Sequence, residues 1–326
     1  MELSQRRWAR VGWWTLAFVV GLCVLATPWS FGSVHVGTID APRYAASNLE
    51  LNLLPPYWHS LPAEDAARIE RVAASTAYVP GRVLGTDALG RDVLARVLAG
   101  GIFSMAIGLS AAAVAVVIGT LWGSLAGFAG GRSDAILMRT VDVLYGLPSI
   151  LLVVLLAVAV DGMVGRVGTK LSPGASQLVG LAVLLVAIGG TSWLTMSRVI
   201  RGQVLSLRAQ PFMESCRAVG VPPLRQFRVH ILPNLVGSMV VYATLTVPSA
   251  ILSESFLSFL GIGVREPVPS WGNLASAGLS EVNLVTSRWW LLAAPCALIA
   301  LTLVALNFIG DSLRARLDPT ATRSRW

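Results

Sequence analysis

Two carboxylates stand inside long apolar runs, Asp142 and Glu254. An ionisable group at membrane depth is costly, so each is a candidate for a substrate pathway or gate. Positioning at a helix end, or a hydrogen bond to a neighbouring span, is the competing reading and the favoured one. A proton- or sodium-driven carrier ordinarily needs several such groups. No hydrolytic or redox constellation joins these two. The stretch 251–259, ILSESFLSF, is rich in serine but has no histidine near it in sequence. His35, His59 and His230 are scattered, and none has a second ligand at helical spacing. Cys23 and Cys296 lie in apolar runs and Cys216 in a basic loop, so the reading is isolated thiols and no metal site. No GxxxxGK[ST] loop is present, so the chain does not bind ATP by that route.

The other stretch that invites a chemical reading is Phe212–Asn234, FMESCRAVGVPPLRQFRVHILPN. It is basic, punctuated by turn residues and flanked by apolar runs. Pro211 suits a first helical position, where its missing N–H is no loss. Gly220 suits the left-handed residue just past a helix end, and Pro222 and Pro223 follow where a helix cannot continue. Phe212, Cys216 and Val219 fall on one face, with Glu214 and Arg217 elsewhere. A second short helix from Pro223 towards Pro233 sets Leu224, Phe227 and Ile231 on a stripe beside Arg225 and Arg228. Such a hairpin needs a docking partner for its apolar faces.

The elements that position these residues are membrane spans. The chain has 326 residues, 55% hydrophobic and 13% charged. A soluble domain carries about a quarter charged residues, so this is an all-α polytopic membrane protein. Apolar runs cover about 12–29, 102–128, 136–160, 177–199, 235–260 and 289–309. Each can cross ~30 Å of hydrocarbon at ~1.5 Å per residue. The first is read as an uncleaved span in preference to a signal peptide. The expected organisation is an N-terminus and first span over 1–30, an extracytoplasmic segment over 31–101, a five-span core over 102–311 that includes the loop 202–234, and a tail over 312–326.

Within 31–101, residues 64–74 read as a short surface helix. In LGTDALGRDVLARVLAGG, Thr86 or Asp87 caps an amphipathic helix lying at the membrane surface, ended by Gly100–Gly101. Gly108, Gly119, Gly123 and Gly127 read as a packing face in the second run. Orientation follows from arginine. Six spans put both termini on one side, together with loops 129–135 and 200–234. That side carries Arg6, Arg7, Arg10, Arg132, Arg139, the arginines between 198 and 228, and Arg314, Arg316, Arg323 and Arg325. Its acids are only Glu2, Asp134, Glu214, Asp311 and Asp318. It is therefore read as cytoplasmic, and the net charge of +8 as topology with no nucleic-acid partner.

Glu214-Ser-Cys-Arg217-Ala218-Val-Gly220, nine residues, then His230-Ile-Leu232-Pro233 resembles the EAA loop of ABC-importer permease subunits. Ser215 and Cys216 stand where that pattern has alanines, and His230 where it has isoleucine. LGTDALGRDVLARVL (84–98), with Gly85, Thr86, Asp87, Gly90, Arg91 and Asp92, is similar to the extracytoplasmic signature of the dipeptide/oligopeptide/nickel branch. So are RTVDVLYGLPSILL (139–152), the stretch 241–274 and LNFIGDSLRARLDP (306–319). The pattern is closest to the second, C-type permease. A departure is the stretch Tyr57–Val83, read as largely an inserted extracytoplasmic helix over 60–77. It is either a tolerated surface insertion or a contact for a partner.

The resemblance implies a non-catalytic six-span subunit of a bacterial inner-membrane importer. A second permease, one or two ATPase subunits and an extracytoplasmic solute-binding protein would complete it. ATP and magnesium would be used by the ATPases and no cofactor by this chain. Phe212, Glu214, Arg217, Ala218, Gly220, Leu232 and Pro233 would form the coupling loop. The cargo expected from the resemblance is di- and oligopeptides, with nickel, opines, glutathione and a peptide antibiotic as alternatives. A secondary transporter, a channel and a membrane-embedded hydrolase are the readings from other classes.

Overall fold

The computed structural model describes residues 2–37, 39–75, 78–167, 173–282 and 287–317. Asp318, Arg323 and Arg325 of the expected tail lie outside them. Five helices are long and apolar enough to cross a membrane: α1 (Glu2–Leu25), α4 (Val93–Ala129), α7 (Pro173–Arg208), α10 (Leu232–Phe259) and α12 (Trp289–Leu317). α5 (Gly131–Tyr145) and α6 (Ser149–Val167) pass the same test together and make a sixth span when counted as one. They are bent by 93° at Gly146-Leu147-Pro148. The expected straight span over 136–160 is therefore broken. Proline lacks an N–H, and it disfavours helical geometry in the residue before it.

α4 is the central element, and it departs most from expectation. The amphipathic surface helix over 86–101 is not a separate element, because Gly100–Gly101 does not end it. The helix runs on for 37 residues, about 55 Å at ~1.5 Å each. Helical glycine costs about 1 kcal/mol relative to alanine, but here it admits close neighbours. A Cβ at Gly101 would meet Trp271 and Cys23, and one at Gly100 would meet Ser270 and Leu274. Lower down, Gly108 lies against Ile251 of α10, Gly119 against Met196 of α7, and Gly123 and Gly127 against the Ser197 and Arg201 carbonyls. Small residues let backbones approach where lipid supplies no hydrophobic drive. The expected packing face thus serves two seams, with α10 at Gly108 and with α7 at Gly119, Gly123 and Gly127.

The cap of α4 also differs. Asp92, and neither Thr86 nor Asp87, is the N-cap; it accepts the Ala95 N–H at 3.2 Å. Its second carboxylate oxygen is buried, as are Tyr78 Oη and Arg43 Nε nearby, and none of the three makes a hydrogen bond of good geometry among the described residues. Burial pushes the Asp92 carboxyl above its ordinary value, partly offset by backbone N–H groups of Ala95, Leu94 and Gly81 and by Arg43. Tyr78 is raised as well, by burial first and by Asp92 second.

The segment before α4 folds onto this end. α2 (Thr27–Ser30) leads into an antiparallel hairpin, β1 (Ser33–Val36) and β2 (Ile39–Pro42), that the sequence reading did not anticipate. The inserted helix forms as α3 (Ala63–Ala74) and packs Val72 and Ile69 on Leu51 and Leu54. Of the expected span of that insert, residues 76 and 77 lie outside the described residues. α11 (Trp271–Ser280) was also unforeseen; a capping box between Ser270 and Asn273 starts it. Trp271 is fully buried and donates its indole N–H to the Val97 carbonyl at 3.0 Å.

Gly123→Leu is expected to wedge α4 from α7 and cost about 1–3 kcal/mol, as overpacking does. Gly202→Ala, where a Cβ meets nothing, is the control. A lower melting midpoint for the first alone is the expected result. For Asp92, a pKa raised on folding means that the folded state holds the proton more tightly. Its contribution to stability is then present below the unfolded pKa and lost as pH rises through the folded pKa. Asp92→Asn keeps a good cap and removes the titration, so its melting midpoint should fall less than wild type between about pH 4 and 8. Parallel profiles would refute this.

Candidate functional site

The loop after α7 opens with α8 (Pro211–Ala218), which has proline at its first position as expected. Gly220 has φ +75°, its N–H bonds to Arg217 O, and the Val221 N–H reaches back to Cys216 O at 3.0 Å. This is a Schellman ending, in which only the left-handed residue after the helix needs to be glycine. No atom crowds a Cβ there, so backbone conformation alone selects Gly220. Two features were not foreseen. Gln226 is buried and donates to Val221 O at 2.6 Å, tying down the turn that Pro222 and Pro223 make. After α9 (Pro223–Arg225), a single π turn, Gln226–Ile231, feeds directly into α10. The expected separate second helix is therefore the first turns of the fifth span, and Pro233 sits near the start of α10 without interrupting it.

The Phe212/Cys216/Val219 face of α8 is left outward, as a docking face would be, while Met213 anchors the helix, packed with Met196, Ile200, Val204, Ile231 and Leu235. Phe212 is 39% exposed and Val219 82%. Phe227 and Ile231 pack inward, but Leu224 is exposed. Glu214, Ala218, Leu232 and Pro233 are exposed, as are Arg225 and Arg228. Arg217 is exposed too, and donates to Arg208 O at 3.0 Å. Arg208 donates to the Gly127 and Phe128 carbonyls at 2.7 and 2.8 Å and so caps the C-terminal end of α4. The loop is bolted to α4, α7 and α10 from beneath and presents an apolar, charge-rimmed surface above.

A cleft of about 740 Å³ opens between the α5–α6 break, α7 and α10. Its lining includes Tyr145, Leu147, Ser192, Thr246, Ser249 and Ser253 and, among the described residues, no charged side chain. The Ser192, Thr246, Ser249 and Ser253 hydroxyls donate to carbonyls of their own helices at 2.7–2.9 Å. Their oxygens remain available as acceptors. Asp142 does not line the cleft. It is exposed next to it, paired with Arg198 at 2.8 Å, and the Arg198 guanidinium stacks 4.0 Å from the Tyr145 ring. A second pair, Asp134–Arg201, also ties α5 to α7.

Glu254 is fully buried on the other side of α10, away from the cleft, among Ser104, Ser255, Ser258 and Ser270. The sequence therefore paired two carboxylates that the fold separates.

The 84–98 signature is a structural knot. Gly85 and Gly90 take positive φ. Thr86 Oγ1 donates to Leu51 O and accepts the Leu54 N–H, both at 2.7 Å. Asp87 accepts the N–H groups of Leu89 and Arg91 and pairs with the Arg91 guanidinium. Arg91 and the buried Arg96 both reach Glu266, at 2.5 and 2.8 Å, across the loop after α10. Arg96 and Glu266 were not singled out from sequence, because their partners are some 170 residues apart.

Comparison with known proteins follows this geometry. A family model described as "Binding-protein-dependent transport system inner membrane component" matches residues 119–323. The dipeptide transport system permease protein DppC of Bacillus subtilis (strain 168) is 41% identical over 239 residues, 73% of this chain and 69% of that one. The oligopeptide transport system permease protein OppC of Escherichia coli (strain K12) is 44% identical over 239 residues, 73% and 72% of the two chains. Among solved structures, the MetNI methionine ABC transporter in an inward-facing conformation aligns with a TM-score of 0.51 at 18% identity, covering 69% of this chain and 97% of that one. That likeness is one of fold. The matched family segment takes in both the loop and the cleft, and the chain belongs to the inner membrane components of binding-protein-dependent transport systems.

Proposed function

We propose that this chain is one of two permease subunits of an ATP-driven, binding-protein-dependent importer of di- and oligopeptides. The carrying observation is the loop 211–231. It is rigidly joined to three spans, yet it leaves Phe212, Val219, Leu224 and Val229 exposed amid Glu214, Arg217, Arg225 and Arg228. A short helix with apolar residues and a charged rim fits a groove on a partner protein. The partner is an ATPase subunit, where ATP and magnesium are used; this chain binds neither. Closure of two ATPases would press on α8. Met213 and the unbroken passage from π turn to α10 would carry that push into the membrane as a rigid-body motion.

The cargo follows from the relatives named above and from the cleft. Hydroxyl oxygens whose hydrogens are already donated can accept the N–H groups of a peptide backbone, whatever its side chains. Among the described residues no charged side chain lines the cleft, which favours this reading over an ion-coupled carrier with titratable or coordinating groups in its path. A second permease would close the open side of the cleft, and a solute-binding protein would deliver the peptide. The arginine excess supports a cytoplasmic side for the loop and both termini in a bacterial inner membrane, with the segment before α4 outside.

Gly220→Asp puts a side chain in a left-handed conformation, at about 1–2 kcal/mol, and adds charge to the docking surface. The expected result is normal membrane insertion and a loss of peptide uptake in proteoliposomes of the assembled importer. Wild-type uptake in that variant would refute the coupling role. Uptake by the wild-type complex should stop on ATP depletion and persist with an uncoupler; the reverse pattern would mark a secondary transporter.

A further inference from the structure

Glu254 is the most deeply buried carboxylate among the described residues, and it does not line the cleft between α7 and α10. Ser258 donates to one of its oxygens at 2.7 Å and Ser255 lies 3.4 Å from the other. Ser104 of α4 and Ser270, the cap of α11, stand around the same carboxyl with their hydroxyls in reach of it. Three of these serines have a second engagement. Ser258 Oγ accepts the Val264 N–H at 3.0 Å, Ser104 Oγ accepts Trp271 N–H at 3.1 Å, and Ser270 Oγ accepts Asn273 N–H at 3.3 Å. A hydroxyl that accepts from a backbone N–H is free to turn its hydrogen to an acceptor, and a carboxylate has room for about four such donors. One side chain therefore gathers, through three hydroxyls, the amides of the loop 261–270 and of the start of α11.

The loop also lies against α10 at this point. A Cβ at Gly263 would overlap Ser258, and one at Gly272 would overlap the Ser255 backbone. α10 itself runs without a break from the π turn of the coupling loop to Phe259.

The geometry points to Glu254 as a positioning residue for transport: through Ser104, Ser258 and Ser270 it clamps the segment 261–273 to α10 and α4, so that a movement entering α10 at the coupling loop carries this segment with it at the opposite face of the membrane. This rests on the coupling reading above. Glutamine at 254 has the same size but brings an NH2 group to where hydroxyl hydrogens converge. At least one serine must then turn round, and its backbone N–H loses an acceptor.

The test uses the assembled importer in lipid nanodiscs, with hydrogen–deuterium exchange followed without nucleotide and after trapping with ATP and vanadate. In Glu254→Gln, amide exchange in 261–273 is expected to rise about tenfold, the equivalent of one lost buried hydrogen bond. In wild type, trapping should change exchange in both 211–220 and 261–273. In the variant the change at 211–220 should persist and that at 261–273 should vanish. A variant that keeps its nucleotide-dependent change at 261–273 overturns the proposal, because a merely structural carboxylate would raise exchange yet leave that response. So does a wild type that responds at 211–220 alone. No response at 211–220 in wild type would instead strike the coupling reading. Should Glu254→Gln fail to assemble, Ser258→Ala serves: it frees the Val264 N–H but not that of Asn273, and it must weaken the response at 261–273.

Discussion

The closeness with which a second backbone can approach α4 decides where the other spans stand. Lipid tails are as apolar as leucine, so helices in a bilayer gain little from burying more leucine against each other. They gain from contact, and contact is closest where side chains are smallest. Along α4, Gly100 and Gly101 admit α11, Gly108 admits α10, and Gly119, Gly123 and Gly127 admit α7. The helix that looks weakest by propensity is thus the one around which the others assemble.

Once those helices are close, their polar groups must find partners in the protein, since hydrocarbon offers none. Arg208 supplies this at one end of α4 by capping its carbonyls. At the other end Asp87, Arg91, Arg96 and Glu266 neutralise one another. The Glu254–serine cluster supplies it between α4, α10 and α11. Each draws on residues far apart in sequence, and each fixes one end of a span. The cleft between α7 and α10 differs: its hydroxyls are satisfied locally and no charged side chain lines it among the described residues.

The loop 212–234 was legible because its signals are local. Pro211 at a helix start, Gly220 past its end and two prolines in the turn depend only on backbone dihedrals of adjacent residues. The small-residue face of α4 was legible for a similar reason, since 119, 123 and 127 repeat at helical spacing. What was misread depended on neighbours. Thr86 and Asp87 look like caps, but Leu51, Leu54 and Arg91 claim them first. Gly100–Gly101 looks like a terminator, but α11 turns it into a contact.

By itself the sequence determined that this chain spans a membrane several times and that a loop opening on a short proline-started helix, and resembling a known importer pattern, leads into the fifth span. Those properties follow from composition, periodicity and turn chemistry, which are short-range. Only the tertiary structure decided the break between α5 and α6, the anchoring of the loop by Met213 and Gln226, and the separation of Asp142 from Glu254. The sequence presents those two carboxylates as equals, one buried acid per span. Packing leaves one exposed beside the cleft with Arg198 and closes the other among serines. The difference lies in which partners arrive from elsewhere in the chain, and no local pattern encodes that.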